Sequence, residues 1–265
     1  MEQIPNWINF LFAGMFGALV GSFLNVCIVR LPREESIILP RSHCRSCEHQ
    51  LSWWENIPIF SYLILKGKCR HCQEQIPVRY PAVELITIML SLTCWKFLGQ
   101  FNLYTAYFLL LVCPLIVVTF IDLEFRIIPN QITLPGIAAG FLVSIFFAGK
   151  YTYYEAALNS MLGILVGGGF LYLVAFIYEK LKKAEGMGGG DVKLAAMLGA
   201  FFGWRAAIFI LFASSVLGSL VGLLLLIIKK KDAKFAFPFG PFLALAGLIY
   251  FFFGKQIIGW YLGLF

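Results

Sequence analysis

Two aspartates and four cysteines stand where their surroundings give them chemistry to do. Asp122 closes an apolar run in Phe120-Ile121-Asp122-Leu123-Glu124-Phe125-Arg126, and Asp191 opens another after Gly186-Met187-Gly188-Gly189-Gly190. Carboxylates in or beside membrane-spanning segments are expensive, so a functional role is their default reading. Two carboxyls held close together cannot both ionise and share a proton. One can then take a proton from water while the other polarises a carbonyl, the arrangement aspartic proteases use without metal or nucleophilic side chain. Singly, each has a structural account: Asp191 can cap or charge-stabilise a helix start, and Asp122 can pair with Arg126 one turn on. As a pair beside a glycine run they favour catalysis. The glycines, Gly186, Gly188 and Gly190 among them, would allow an unusual backbone and the approach of an extended substrate. Lys193 would tune the charge of Asp191 or snorkel to the interface. Glu84, just after Tyr80-Pro81, reads equally well as a helix-start residue or a functional one.

The cysteines form Cys44-Arg-Ser-Cys47 and Cys69-Arg-His-Cys72, with 21 residues between the pairs. Two such knuckles supply the four soft ligands of a tetrahedral Zn²⁺. A loop of about 50 residues buries little core of its own and usually needs a metal or crosslinks, so zinc would supply much of its folding energy. The competing reading is two disulfides, which are rare in a reducing compartment. His43 and His71 lie beside the ligands and could substitute. Cys27, Cys94 and Cys113 sit in apolar runs as small fillers.

These groups need elements to hold them. Of 265 residues, 60% are hydrophobic and 13% charged, with a mean hydropathy of +0.83, more apolar surface than a soluble globule can hide. The chain therefore reads as an all-α polytopic membrane protein. Met1 to Ile8 has Glu2 and no Lys or Arg, so the first apolar run reads as an uncleaved span. With about 20 apolar residues needed per crossing, the candidates are Trp7–Val29, Pro81–Leu98, Leu103–Ile121, Ile132–Phe147, Tyr154–Ile177, Val192–Phe202, Ala206–Ile228 and Phe237–Phe253. Val192–Phe202 is short enough to be tilted or partly sunk. That gives about eight transmembrane helices in three regions: a first span over 1–29, a cytoplasmic tetracysteine loop over 30–79, and a membrane core over 80–265.

If the loop faces the cytoplasm, seventeen of the 21 Lys and Arg fall on the cytoplasmic side, as the positive-inside rule requires. Both termini then lie outside, and both aspartates reach the cytoplasmic membrane boundary. The Lys229–Lys234 run reads as a solvated helix end. The net charge of +7 is spread along the chain in this way, and no nucleic-acid partner is expected.

At these residues the chain resembles the type IV prepilin leader peptidases. Gly186-Met187-Gly188-Gly189-Gly190-Asp191-Val192-Lys193-Leu194 resembles their G-x-G-D signature, and Asp122 followed by Ile128-Pro129 resembles the segment of their other catalytic aspartate. Gly21-Ser22-Phe23-Leu24-Asn25-Val26, Arg30-Leu31-Pro32, Asn56-Ile57-Pro58, Gly67-Lys68-Cys69, Arg79-Tyr80-Pro81 and Pro238-Phe239-Gly240-Pro241-Phe242-Leu243 also match. Asn130 departs from the family's frequent Asp, and neither knuckle has the family's common Cys-Pro. The resemblance implies a bacterial inner-membrane enzyme that removes the short basic leader of prepilins or pseudopilins after a Gly. It also implies methylation of the new N-terminal residue with S-adenosylmethionine, in machines that build pili, secrete proteins or import DNA, and it associates the tetracysteine loop over 30–79 with that methyl transfer. No glycine-rich loop after a strand marks a site for that methyl donor. Three other readings compete: a different intramembrane G-x-G-D protease, an ion or proton transporter using the carboxylates, and a zinc-bearing membrane scaffold.

Overall fold

The structure, a computed structural model, describes residues 5–149, 151–182, 188–229 and 238–262. Gly186, Lys183 and 230–234 of the lysine run lie outside the described residues. Among the described residues the secondary structure is helical, apart from two isolated bridges. The helices are α1 (Asn6–Arg30), α2 (Phe60–Ile64), α3 (Arg79–Leu98), α4 (Phe101–Tyr107), α5 (Cys113–Phe125), α6 (Asn130–Phe146), α7 (Tyr153–Lys182), α8 (Gly189–Phe202), α9 (Trp204–Lys229) and α10 (Gly240–Leu262). A π-helical segment, Phe108–Val112, joins α4 to α5. Pro114 offers no N–H to the turn before it, and the hydrogen-bond ladder widens there. Two compact units divide the chain, Met1–Val117 and Val118–Phe265, with the boundary inside α5.

In the first unit α1 lies along α3. Ala13, Gly17, Gly21, Leu24 and Ile28 are buried, the three- and four-residue spacing of one helix face. Trp7, Leu11, Met15, Leu19 and Phe23, also spaced by four, are exposed, as residues facing lipid would be. Small residues bring the two helices together: a Cβ on Gly17 would stand 2.7 Å from Ser91 Cβ. The buried Ser91 hydroxyl donates to the Ala13 carbonyl at 2.6 Å and also meets Tyr104 Oη at 2.7 Å. Such bonds satisfy polar groups that lipid cannot.

In the second unit α8 is packed against α6, α7, α9 and α10. Leu194 to Phe201 are buried without a break. The Gly163 and Gly199 backbones meet directly where α7 crosses α8, and Ser160 Oγ donates to the Ala200 carbonyl at 2.7 Å.

Among the described residues five helical segments are long and apolar enough to cross a membrane: Asn6–Arg33, Arg79–Leu98, Phe101–Phe125, Tyr153–Lys182 and Trp204–Leu225. The other three expected spans fall on shorter apolar helices, Asn130–Phe146, Gly189–Phe202 and Gly240–Gly254 within α10. The protein is thus an all-helical membrane protein with at least these five segments of spanning length.

Candidate active site and metal centre

Asp122 stands three residues before the C-terminal end of α5, and its buried carboxyl has a defined partner. The Gly240 N–H, at the start of α10, donates to Asp122 Oδ2 at 2.9 Å. The first N–H groups of a helix have no acceptor inside it, and a carboxylate there is also favoured by the helix dipole. Arg126, with φ 58°, accompanies the end of α5, and its N–H still bonds the Asp122 carbonyl at 3.0 Å.

Asp191 lies in the first turn of α8, which Gly188 caps. Its N–H donates to the Gly188 carbonyl at 3.1 Å. No side-chain hydrogen bond is made at the Gly188 cap, and Asp191 Oδ1 is buried with no hydrogen-bond partner. The carboxyls of Asp191 and Asp122 are close enough to repel each other when charged. Two groups 69 positions apart, at the end of one helix and the start of another, thus come within electrostatic reach of each other in the second unit.

The glycines contribute space more than unusual dihedrals. Gly188 has φ −68° and ψ 138°, a conformation open to any residue. Gly190 has a steric reason to be glycine, since a Cβ there would approach Ile128 Cβ at 2.7 Å. Ile128 also reaches Gly240, where a Cβ would meet its Cδ1 at 3.0 Å and Asp122 Oδ2 at 2.7 Å. Lys193 sends its ammonium to Asn130 Oδ1 at 2.7 Å, on the first turn of α6.

Reasoning from residue types alone passes over Gly240 and Ile128, since neither carries a reactive group. A usable signal was present: Gly240-Pro241 places a proline in a first helical turn, where its missing N–H costs nothing. The partner of Lys193 was equally hidden, because 63 positions separate the two residues.

In the first unit each cysteine knuckle is closed by one bridge, His43 with Gln50 and Lys68 with Gln75. The four thiols of Cys44, Cys47, Cys69 and Cys72 are free, and their sulfurs all lie within 4.8 Å of one another. Cys44 and Cys72 sulfurs are 3.7 Å apart, and those of Cys47 and Cys69 are 4.0 Å apart. A tetrahedron of Zn–S bonds of about 2.3 Å has edges of about 3.8 Å, so the donor set fits such an ion. The backbone N–H groups of Cys72 and His71 point at Cys69 and hold its pKa down, to about 7, which favours the thiolate a metal binds. His43 Nδ1 is spent on the Arg41 carbonyl at 3.0 Å, and the His71 ring lies against that of His49, tilted by 30°. Glu55 braces the loop between the knuckles by accepting the Ser52 N–H at 2.8 Å. Glu84 accepts the Ile59 N–H at 2.7 Å.

Comparison with known proteins agrees with this layout. Residues 15–97 match the family model described as "Bacterial Peptidase A24 N-terminal domain", and residues 109–223 match that of the "Type IV leader peptidase family". A relative from Aeromonas hydrophila, named prepilin leader peptidase/N-methyltransferase, is 37% identical over 97% of this chain and 94% of its own. Relatives of the same name from Xanthomonas campestris pv. campestris and Myxococcus xanthus are 35% and 41% identical. They cover 99% and 85% of this chain, and 97% and 67% of their own lengths. No solved structure matches the chain.

Proposed function

The chain belongs to the type IV leader peptidase family, and from that premise we propose that it is a membrane aspartic endopeptidase with Asp122 and Asp191 as its catalytic pair. Its substrates are prepilins or pseudopilins, cut after a Gly behind a short basic leader. The observation that carries the reading is the electrostatic proximity of the two carboxyls, one held by the Gly240 N–H and the other with a buried oxygen left open.

One carboxylate takes a proton from a water whose oxygen attacks the scissile carbonyl carbon. The other, protonated, donates to the carbonyl oxygen as negative charge builds there. When the tetrahedral adduct collapses, the C–N bond breaks, the amine leaves with the proton the first carboxyl took from water, and the second carboxyl recovers its proton from an adduct hydroxyl as the C=O re-forms. Gly188 and Gly190 keep this approach open, and Gly186 completes the same signature. Lys193 with Asn130 fixes the start of α8 against α6.

The proposal extends to the second activity in the relatives' names. S-adenosylmethionine would supply an electrophilic methyl. Its transfer would form an N–C bond from the new terminal amine's lone pair, with the C–S bond breaking onto sulfur and the amine's proton passing to water. Cys44, Cys47, Cys69 and Cys72 would hold a structural Zn²⁺ that stabilises the loop. In this reading eight helices cross the bacterial inner membrane, both termini lie outside, and the loop and aspartates face the cytoplasm.

The test is cleavage of a purified model prepilin by the protein in detergent, read by mass spectrometry. A single cut after the leader Gly is expected, reduced by more than about 10³-fold in Asp191→Asn and in Asp122→Asn. A cut that survives either substitution overturns the mechanism. Mass increase by one methyl on adding S-adenosylmethionine tests the second step.

A further inference from the structure

The first unit contains a cavity of about 220 Å³ between the C-terminal half of α1, the tetracysteine loop and the first turns of α3. A water needs only about 10–15 Å³ on that measure, so the space suits a molecule many waters in size. Asn25, only 2% exposed, lines it. Its Nδ2 donates to the Tyr80 carbonyl at 3.0 Å, while its Oδ1 is buried with no hydrogen-bond partner. Folded proteins rarely leave such an acceptor unpaired. On the same wall, the buried Glu84 spends one carboxyl oxygen on the Ile59 N–H at 2.7 Å. Ile59 is held at φ 61°, a region β-branched residues avoid. Strain of that kind persists where the surroundings over-determine it, and it clusters at functional sites.

The lining is chemically selective. Four glutamates, three arginines and two tyrosines face the cavity, with apolar side chains between them. A ligand matching it carries cationic charge for the carboxyls, a carboxylate for a guanidinium, and a flat group for aromatic faces. A nucleotide triphosphate would press its negative charge against Glu84.

We propose that this cavity is the methyl-donor site, taking S-adenosylmethionine with Asn25 Oδ1 and the Glu84 carboxyl facing its cationic ammonium and sulfonium groups. The proposal rests on the methyltransferase half of the function given above. The resemblance associates that half with the tetracysteine loop, and the cavity adds named residues for the donor, Asn25 and Glu84.

The experiment uses the full zinc-loaded chain in detergent, without prepilin. Binding of S-adenosylmethionine and of ATP is measured by calorimetry, and the photo-crosslinked, methyl-labelled donor is mapped by mass spectrometry. Wild type should bind the donor and not ATP, with the label in peptides containing Asn25 or Glu84. Glu84→Gln keeps an oxygen for the Ile59 N–H and should weaken donor binding at least tenfold, as should Asn25→Leu. Label confined to α5–α10, or unchanged affinity in both variants, overturns the site. The crosslink map on wild type stands even if a variant fails to fold. Absence of donor binding by wild type, with prepilin cleavage intact, overturns the methyltransferase reading and the site with it. Donor binding with the label elsewhere overturns the site alone.

Discussion

At the scale of the residue, the informative atoms are polar groups whose bonding is settled or left open by burial. Glu55 is settled. Its bond from the Ser52 backbone N–H is the main reason its carboxyl is held below the usual carboxylate range. A depressed carboxylate contributes stability that is fully present above its ordinary pKa and lost as pH falls through the folded value. Glu55→Gln should therefore loosen the loop by about 1 kcal/mol or less, by the same amount from pH 6 to pH 8, with the difference shrinking in acid. Chelator-challenge rates of zinc release over that range would show it. His49 lies 3.9 Å from Glu55, and a His49→Asn variant that abolished the whole effect of Glu55→Gln would assign the stabilisation to that pair. Asn130 gives a second case. Its side chain accepts a hydrogen bond from Lys193 at the start of α6, where a negative charge is favoured by the helix dipole. Asn130→Asp should raise stability by a few tenths of a kcal/mol to about 1 kcal/mol, read as a small rise in melting temperature that high salt removes. A neutral or destabilising result would mean that the added charge is felt more strongly elsewhere than at Lys193. Residue types singled out Asp122, Asp191 and the four cysteines, because misplaced charge and repeated spacing are visible in one dimension. They were silent on Gly240, whose contribution is a backbone N–H, and on the Asn130–Lys193 bond, which exists only once α6 and α8 are side by side.

At the scale of the element, α8 shows why hydropathy alone is ambiguous. Its run Val192–Phe202 reads as a short or tilted span, yet Leu194 to Phe201 are buried against neighbouring helices. A segment can be apolar because it faces lipid or because it faces protein, and one sequence carries no mark to separate the two. Spacing of small residues is more legible, since glycines at helical intervals already suggest close crossings. Gly163 and Gly199 are the tightest of these, each occupying the space the other's side chain would need. Gly199→Ala would force α7 and α8 apart, with a cost of about 3 kcal/mol or more. Because Gly199 lies on α8 only eight positions after Asp191, prepilin cleavage should fall with the melting temperature. Gly169→Ala on α7 is the control: a Cβ there meets nothing within 4 Å, and replacing a mid-helix glycine should leave stability equal or slightly higher. Equal tolerance at both positions would argue that α7 and α8 do not cross as closely as their backbones indicate.

At the scale of the whole molecule, helical class and membrane residence follow from composition and run length alone, while the number of crossings does not. Five segments reach spanning length, and α8, with 14 residues, extends only about 21 Å at 1.5 Å per residue, against a hydrocarbon core of about 30 Å. Burial among other helices removes the need for α8 to meet lipid at either end. The count has a parity consequence. If α6, α8 and α10 cross along with the five longer segments, the chain makes an even number of crossings and its termini share a side. If the five alone cross, the termini lie on opposite sides. Charge favours the even count, because eight crossings place seventeen of the 21 basic residues on one side, the bias that orients helices during insertion. Reporters active only outside the cytoplasm, fused in turn to each end of the full chain, should therefore both be active, and one placed between Glu48 and Gln50 should be silent. One active and one silent terminus would show an odd number of crossings. In that case α6 and α7 would both still cross, returning Asp191 to the side of Asp122, and α8 or α10 would have to enter and leave the membrane on the same side.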